Sequence, residues 1–387
     1  MPMFRSAKYR LYPSKGQART MDQILERCRL VYNEEVEMCR KAYEADGRFP
    51  SRESIQDYCD YVLKLDDPGL DEVCPCCLED VSRRVSRAFG KFRSMLGGGT
   101  EPKLPSSKGP DRYTSFTYPR CKGSVSIREG GAWFQGIGTV KCIMHRPIEG
   151  APVSCTLSRS PVGKWYATVS FITNIASESS PSTDGKGPVG IDLGLYNLAV
   201  FSDGTVFDNK KLYESMMGEM KGIQKKMERF SPDSPDHERY RRRLDHLFEH
   251  YNNRMSDEMH KRSKDVVEAY SMIALEDLRV EKMIRGYRTR EGRRSQSTAA
   301  WRTFVEMIEY KAARAGVDVV FVNPRGTSQM CSGCGLYVPK GVGVRMHECP
   351  QCGLRMDRDL NAAKNILRIG LGMQASVPGN RNSRIPI

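Results

Sequence analysis

Residues 349–367 read "CPQCGLRMDRDLNAAKNIL". A cysteine pair, two aspartates and the opening turn of a helix stand within a few positions of one another. Asp at a helix start is an ordinary cap, so the segment alone leaves open whether its acids are caps or metal ligands. With Asp359 in the first helical turn and facing a sheet, Asp357 lies outside the helix as its cap. The cysteines belong to a larger set. "CSGC" (331–334) and "CPQC" (349–352) form two Cys-x2-Cys pairs with fourteen residues between them. That spacing makes a tetrahedral zinc site of Cys331, Cys334, Cys349 and Cys352, with Gly335 and Gly353 permitting a tight turn after each pair. A ribbon with so little core depends on the metal for its fold. His347 offers a spare ligand that four thiolates make unnecessary. "CPCC" (74–77) has no matching pair nearby, and Cys74, Cys76 and Cys77 read as helix-facing cysteines, with metal binding as the weaker alternative.

Two more acids sit in apolar strands upstream. Asp192 lies in the middle of "GIDLG" (190–194), and Glu276 follows four apolar residues in "SMIALED" (271–277). A carboxylate in such a strand is unfavourable unless paired or metal-bound, and acids are seldom buried without a partner. On neighbouring parallel strands the two would project from the sheet surface, and Asp359 would close the set. Three such carboxylates suit two Mg²⁺ ions about 3.5–4 Å apart, the arrangement that hydrolyses phosphodiesters. The bland alternative is strand-end acids meeting Lys or Arg. "IDLGLYNLAVFSDG" also fits the phosphate hairpin of actin-like sugar kinases. That assignment needs a second Asp-x-Gly hairpin and a glycine-rich nucleotide segment, and neither is present.

The chain has 387 residues, room for two or three domains at roughly 150 each. Lys and Arg number 61 against 47 Asp and Glu, a net charge of +14 that favours a polyanionic partner. Thirteen cysteines cannot all pair within the chain, which suits a reducing compartment. The first residues lack the apolar core of a signal peptide, and no apolar run approaches the ~20 residues of a membrane helix. The expected location is the prokaryotic cytosol or nucleoid, with no membrane partner.

Along the chain, "KYRLYPS" (8–14) alternates like a strand and stops at a turn. From 17 to 96 the pattern is helical, with Leu25, Cys28, Leu30, Val31 and Val36 at three- and four-residue spacing. A Gly/Pro/Ser stretch (96–110) follows, then β-rich runs over 113–173 that read as a small barrel sharing the N-terminal strand. After a second linker (176–188) come the Asp192 strand, a hairpin partner (197–204), a polar helical pair broken at 231–236, and the Glu276 strand. A helix at about 300–315 and a strand at 317–324 lead into the cysteines. Between them "EKMIRGYRTREGRR" (281–294) is a basic loop whose Arg285, Arg288, Arg290, Arg293 and Arg294 are candidate contacts to a nucleic-acid backbone.

The order Asp-strand, helical insertion, Glu-strand, basic loop, four-cysteine ribbon, Asp-helix resembles the TnpB family of transposon-encoded RNA-guided DNA endonucleases, relatives of type V CRISPR effectors. The resemblance rests on "GIDLGLYNLAVFSDG", "IALEDL", "TSQMCSGCG", "CPQCGLRMDRDLNAAKNIL" and, more weakly, "KYRLYPSKGQ" and "SFTYP". It implies an α/β fold with β-barrel and helical parts. An RNase H-like RuvC nuclease domain (186–330 and 353–372) would carry an inserted four-cysteine zinc ribbon (331–352) and end in a flexible tail (373–387). A wedge-like β-barrel (1–16 and 101–180) would be split by a helical recognition domain (17–100). The resemblance further implies catalytic roles for Asp192, Glu276 and the second Asp of "DRD", Asp359, with magnesium, and a structural zinc. It also implies a guide RNA and a target DNA bearing a short flanking motif, bound by a monomer with RNA. The cysteine-rich "VCPCCLED" (73–80) departs from the pattern, so no motif-reading residues are assigned there. Two other classes stay open: a nuclease-inactive RNA-guided repressor, which would have lost acids that are all present, and an RNase H-like transposase.

Overall fold

The computed structural model describes residues 3–96, 102–173, 186–194, 198–208, 210–277, 291–341 and 343–376. The chain divides into two compact units, Met1–Ile175 and Ala176–Ile387.

In the first unit, strand β1 (Met3–Tyr12) runs into helix α1 (Lys15–Asp46). Ser14 Oγ accepts from the Gln17 N–H at 3.2 Å, and Gln17 Oε1 accepts from the Ser14 N–H at 3.0 Å. This reciprocal cap satisfies two of the free donors at the helix start. The helix ends where Gly47 takes φ 65° and donates to the Tyr43 carbonyl. Helices α2 (Arg52–Tyr58) and α3 (Pro75–Met95) complete the helical part. Met21, Ile24, Leu25, Cys28, Val31 and Val36 of α1 are buried, whereas Leu30 is 46% exposed and falls outside the expected apolar stripe.

Six further strands follow: β2 (Ser115–Tyr118), β3 (Val125–Arg128), β4 (Gly131–Phe134), β5 (Gly138–Ile143), β6 (Ala151–Arg159) and β7 (Trp165–Thr173). They form one sheet in the order β2-β6-β7-β1-β5-β4-β3, so the N-terminal strand lies at its centre, between β7 and β5. Alternation in β7 buries Trp165, Ala167, Val169 and Phe171. The sheet curls until Tyr118 of edge strand β2 stacks on Phe134 of β4 at 6.0 Å and donates to the Gln135 carbonyl at 2.8 Å. No ladder joins β2 to β3, so among the described residues the barrel is nearly closed. Arg84 docks α3 on β2 by donating to the Ser115 carbonyl and Thr117 Oγ1, both at 2.7 Å.

The second unit holds β8 (Val189–Asp192), β9 (Ala199–Phe201), β10 (Val206–Phe207), β11 (Met272–Glu276) and β12 (Asp318–Val322), in the order β10-β9-β8-β11-β12. Strands β8, β11 and β12 are parallel, and β9 and β10 extend the sheet antiparallel. Helices α4 (Lys210–Met227), α5 (Pro235–Ala269) and α6 (Glu291–Ala315) belong to this unit. Residues of α4, α5 and α6 share a core with Val189, Ile191, Ile273 and Leu275 of the sheet. Because α6 starts at Glu291, the end of the expected basic loop is helical. A hairpin of β13 (Met346–Glu348) and β14 (Arg355–Asp357) leads into α7 (Arg358–Ser376). That helix passes residue 372, where the sequence suggested a tail; residues 377–387 lie outside the described residues. Among the described residues, no helix is long and apolar enough to cross a membrane.

Candidate functional site

Side chains alternate along a strand. Ile191, Ile273 and Leu275 join the core shared with α5 and α6, so Gly190, Asp192, Ala274 and Glu276 turn to the opposite face. Helix α7 covers that face: Met272, Ala274 and Val322 of the strands form a core with its Ile366. The register pairs Leu275 with Ile191, which sets Glu276 beside Asp192 at the ends of adjacent parallel strands.

What brings α7 so near is the absence of side chains. A Cβ on Gly190 would lie 2.2 Å from the Ala363 carbonyl oxygen and 2.5 Å from the Leu367 nitrogen. One on Gly370 would lie 2.7 Å from the Ala274 Cβ. Real Cβ atoms do not approach backbone this closely, so glycine is required where strand and helix touch. The contact delivers Asp359, in the first turn of α7 and 7% exposed, to the strand ends. Asp357 stands outside the helix, and its Oδ1 accepts from the N–H groups of Asp359 at 2.8 Å and Leu360 at 3.1 Å. It caps the helix, as the "DRD" pattern suggested.

The three acids are held in unlike ways. Burial lifts the Asp192 carboxyl well above the usual carboxylate range, and the charges of Glu276 and Asp359 push it further. Burial also raises Glu276, opposed by Thr327, whose Oγ1 donates to Glu276 Oε1 at 2.5 Å. Asp359 is raised by burial and held down in part by Arg345, whose Nη1 donates to its Oδ2 at 3.2 Å. Three carboxyls raised by burial, two of which also raise Asp192 by their charge, are a donor set that a hard divalent cation relieves. Their oxygens do not gather within the 4.8 Å that encloses each sulfur cluster among the described residues.

The four ribbon cysteines do gather. Their sulfurs lie within 4.8 Å of one another, with Cys331–Cys352 at 3.6 Å and Cys334–Cys349 at 3.5 Å. A tetrahedron of Zn–S bonds near 2.3 Å requires about 3.8 Å between sulfurs, so this donor set fits zinc. The two knuckles are built alike. Gly335 (φ 82°) donates to the Cys331 carbonyl at 2.9 Å, and Gly353 (φ 70°) donates to that of Cys349 at 3.0 Å. Cys331 and Cys349 donate to Leu336 and Leu354 at 2.8 and 2.9 Å. His347 is buried against Lys340 and stands outside the sulfur cluster.

Sequence reading missed the link between the two sites. Asn365 Nδ2 donates to the Thr327 carbonyl at 2.9 Å and to that of Met330 at 2.7 Å. Asn361 Nδ2 donates to Met330 O at 2.7 Å, and its Oδ1 accepts from the Ser332 N–H at 2.9 Å. Thr327, Asn361 and Asn365 are all buried. One helix therefore carries Asp359, grips the first knuckle and steadies the threonine that orients Glu276. Two buried asparagines one turn apart in "DLNAAKN" were the available signal. Of the basic candidates, Arg285, Arg288 and Arg290 lie outside the described residues. Arg293 and Arg294 fall in α6, and their side chains also lie outside the description.

Comparison with known proteins bears on these segments in chain order. A family profile described as a helix-turn-helix domain matches residues 1–48, here β1 and α1. One described as "Probable transposase" matches 170–286, which holds Asp192 and Glu276. One described as the Cas12f1-like TNB domain matches 301–366, which holds the cysteine quartet and Asp359. A Streptomyces pristinaespiralis protein named "Putative RNA-guided DNA endonuclease" is 29% identical over 98% of this chain and 92% of its own. A TnpB-like protein of Acanthamoeba polyphaga mimivirus is 27% identical over 95% of this chain and 73% of its own. The chain is similar to TnpB-like proteins along nearly its whole length. The solved mini-RNA-guided endonuclease CRISPR-Cas phi3 aligns over 96% of this chain and 92% of its own, at 10% identity and a TM-score of 0.44. A likeness so shallow adds nothing to the assignment.

Proposed function

We propose that this chain is a magnesium-dependent, RNA-guided DNA endonuclease whose second unit is an RNase H-like RuvC nuclease domain (186–330 and 353–372) interrupted by a zinc ribbon (331–352). The barrel (1–16 and 101–180) and the helical insert (17–100) would hold guide RNA and target DNA. The observation that carries this reading is that Asp192 and Glu276 end adjacent parallel strands on the sheet face that α7 covers, with Asp359 in the first turn of that helix, in a chain whose relatives bear endonuclease names.

Asp192, Glu276 and Asp359 are the residues that would hold the magnesium ions. Magnesium bound there supplies Lewis-acid activation of water and charge compensation at the scissile phosphate. The remaining work falls to the chain. Thr327 orients Glu276, Arg345 neutralises part of the charge on Asp359, and Asp357 fixes the start of α7 so that Asp359 meets the strand ends. The net charge of +14 exceeds what one cleft needs and suits a long polyanion. Arg285, Arg288, Arg290, Arg293 and Arg294 would contact the nucleic-acid backbone and position it without reading bases.

The test is to purify the chain at low salt, sequence the RNA that accompanies it, and ask whether cleavage follows that RNA's guide end. The expected result is one RNA species, and cutting of matched DNA that ribonuclease abolishes. RNA-free protein that cuts the same sites would overturn the guided reading and favour an RNase H-like transposase or plain nuclease.

A further inference from the structure

Three cysteines read from sequence as separate helix-facing residues meet in the first unit. The sulfurs of Cys74, Cys76 and Cys77 lie within 4.8 Å of one another, and all three residues are buried. Cys74 and Cys76 lie 2.9 Å apart, so a metal would spread this pair toward the ~3.8 Å of zinc-bound sulfurs. We propose that these thiols form a second zinc site, which fastens the start of α3 to the barrel loops.

The surroundings distinguish this cluster from ordinary core cysteines. Cys74 is the cap residue of α3, with Pro75 in the first turn. A thiolate there faces the free N–H groups and positive end of a helix. Polar groups from two barrel loops complete the shell. Gln135 Oε1, after β4, lies 3.3 Å from the Cys74 sulfur, and Ser124 Oγ, before β3, lies 3.8 Å from that of Cys76. Cys121, buried in the same loop as Ser124, stands outside the sulfur cluster. Three thiols with a fourth place open to the Gln135 oxygen form a soft donor set that favours Zn²⁺ over oxygen-seeking cations. Binding there would join the helical insert to two barrel loops that are distant from it in sequence.

Elemental analysis of the full chain, purified under reducing conditions and dialysed against a weak chelator, tests this directly. The expected content is about two zinc ions per chain, falling to about one when Cys74, Cys76 and Cys77 are all replaced by Ser. A wild-type content near one that the triple replacement leaves unchanged would overturn the proposal. Should that variant fold poorly, X-ray absorption at zinc on the wild-type protein needs no substitution. With Gln135 completing the shell, two zinc ions per chain would average about 3.5 sulfurs each. Four sulfurs at one zinc per chain would mean the ribbon quartet alone.

Discussion

The ribbon and the carboxylate face share helix α7 but are assembled by different means. In the ribbon each Cys-x2-Cys pair is set by its own tight turn, and two identical turns bring four sulfurs together. The carboxylates come from two strands and a helix far apart in the chain, and no local turn places any of them. They meet because β8 and α7 touch backbone to backbone through Gly190, and the threonine beside Glu276 is steadied by α7's own asparagines. A site made of local turns is written in spacing, whereas one made of tertiary contact is written in small residues whose role is invisible until the packing is known.

Substitutions that separate the two kinds of assembly should differ in size and in what they damage. The largest effect expected is from Cys349→Ser, because a structural zinc contributes on the order of 10 kcal/mol to the fold that binds it. Elemental analysis should show one zinc ion lost from the chain, and thermal melting should show the second unit destabilised. Unchanged melting of the zinc-free protein would mean that the ribbon folds without metal. Next comes Gly190→Val, which drives a side chain into the α7 backbone and should destabilise the second unit by about 4 kcal/mol. Its effect should fall on the sheet–helix contact while zinc content stays normal. Zinc loss equal to that of Cys349→Ser would show that the ribbon depends on the sheet.

A smaller effect belongs to the first unit and depends on pH. Burial pushes the Glu35 carboxyl, fully buried in α1 against Ser82 Oγ, up to about 8. An acid whose folded value is raised binds its proton more tightly when folded. Its stabilising share is complete below the unfolded value near 4.5 and is lost as pH rises through about 8. Denaturant melts between pH 5 and 9 should therefore show stability falling by on the order of 3 kcal/mol, a slope that Glu35→Gln flattens. An unchanged slope in the variant would assign the dependence to other groups. The smallest effect is from Thr327→Val, about 1 kcal/mol for one hydrogen bond to a buried acid. Because Thr327 opposes the upward shift of Glu276, the pH at which activity rises should move upward in that variant, with zinc content unchanged.

The parts legible in the sequence were those with short-range signatures. The cysteine spacing, the alternation in β7, the apolar strands carrying Asp192 and Glu276, and Asp357 as a cap all follow from periods and neighbours. Leu30 had the right spacing yet faces solvent, because α1 turns its buried side mainly to α3 and Leu30 lies off that side. The Cys74 cluster had no partner pair in sequence, since the groups around it arrive from barrel loops some fifty to sixty positions on. Thr327, Asn361, Asn365 and the glycine contact at Gly190 act through tertiary neighbours, so a residue-by-residue reading passed over them. The basic segment was legible as charge, and its shape over 278–290 lies outside the described residues.

The central claim is that Asp192, Glu276 and Asp359 act as one unit on a phosphodiester. Its most direct test is cleavage of guide-matched DNA by the protein with its copurified RNA, run for Asp192→Ala, Glu276→Ala, Asp359→Ala and Asp357→Ala side by side. Groups that act together fail together, so each of the first three should lose cleavage by at least about a thousandfold while still binding the DNA. Asp357→Ala, which removes only a helix cap, should cut more slowly but measurably. An active Asp359→Ala beside a dead Asp357→Ala would contradict the account.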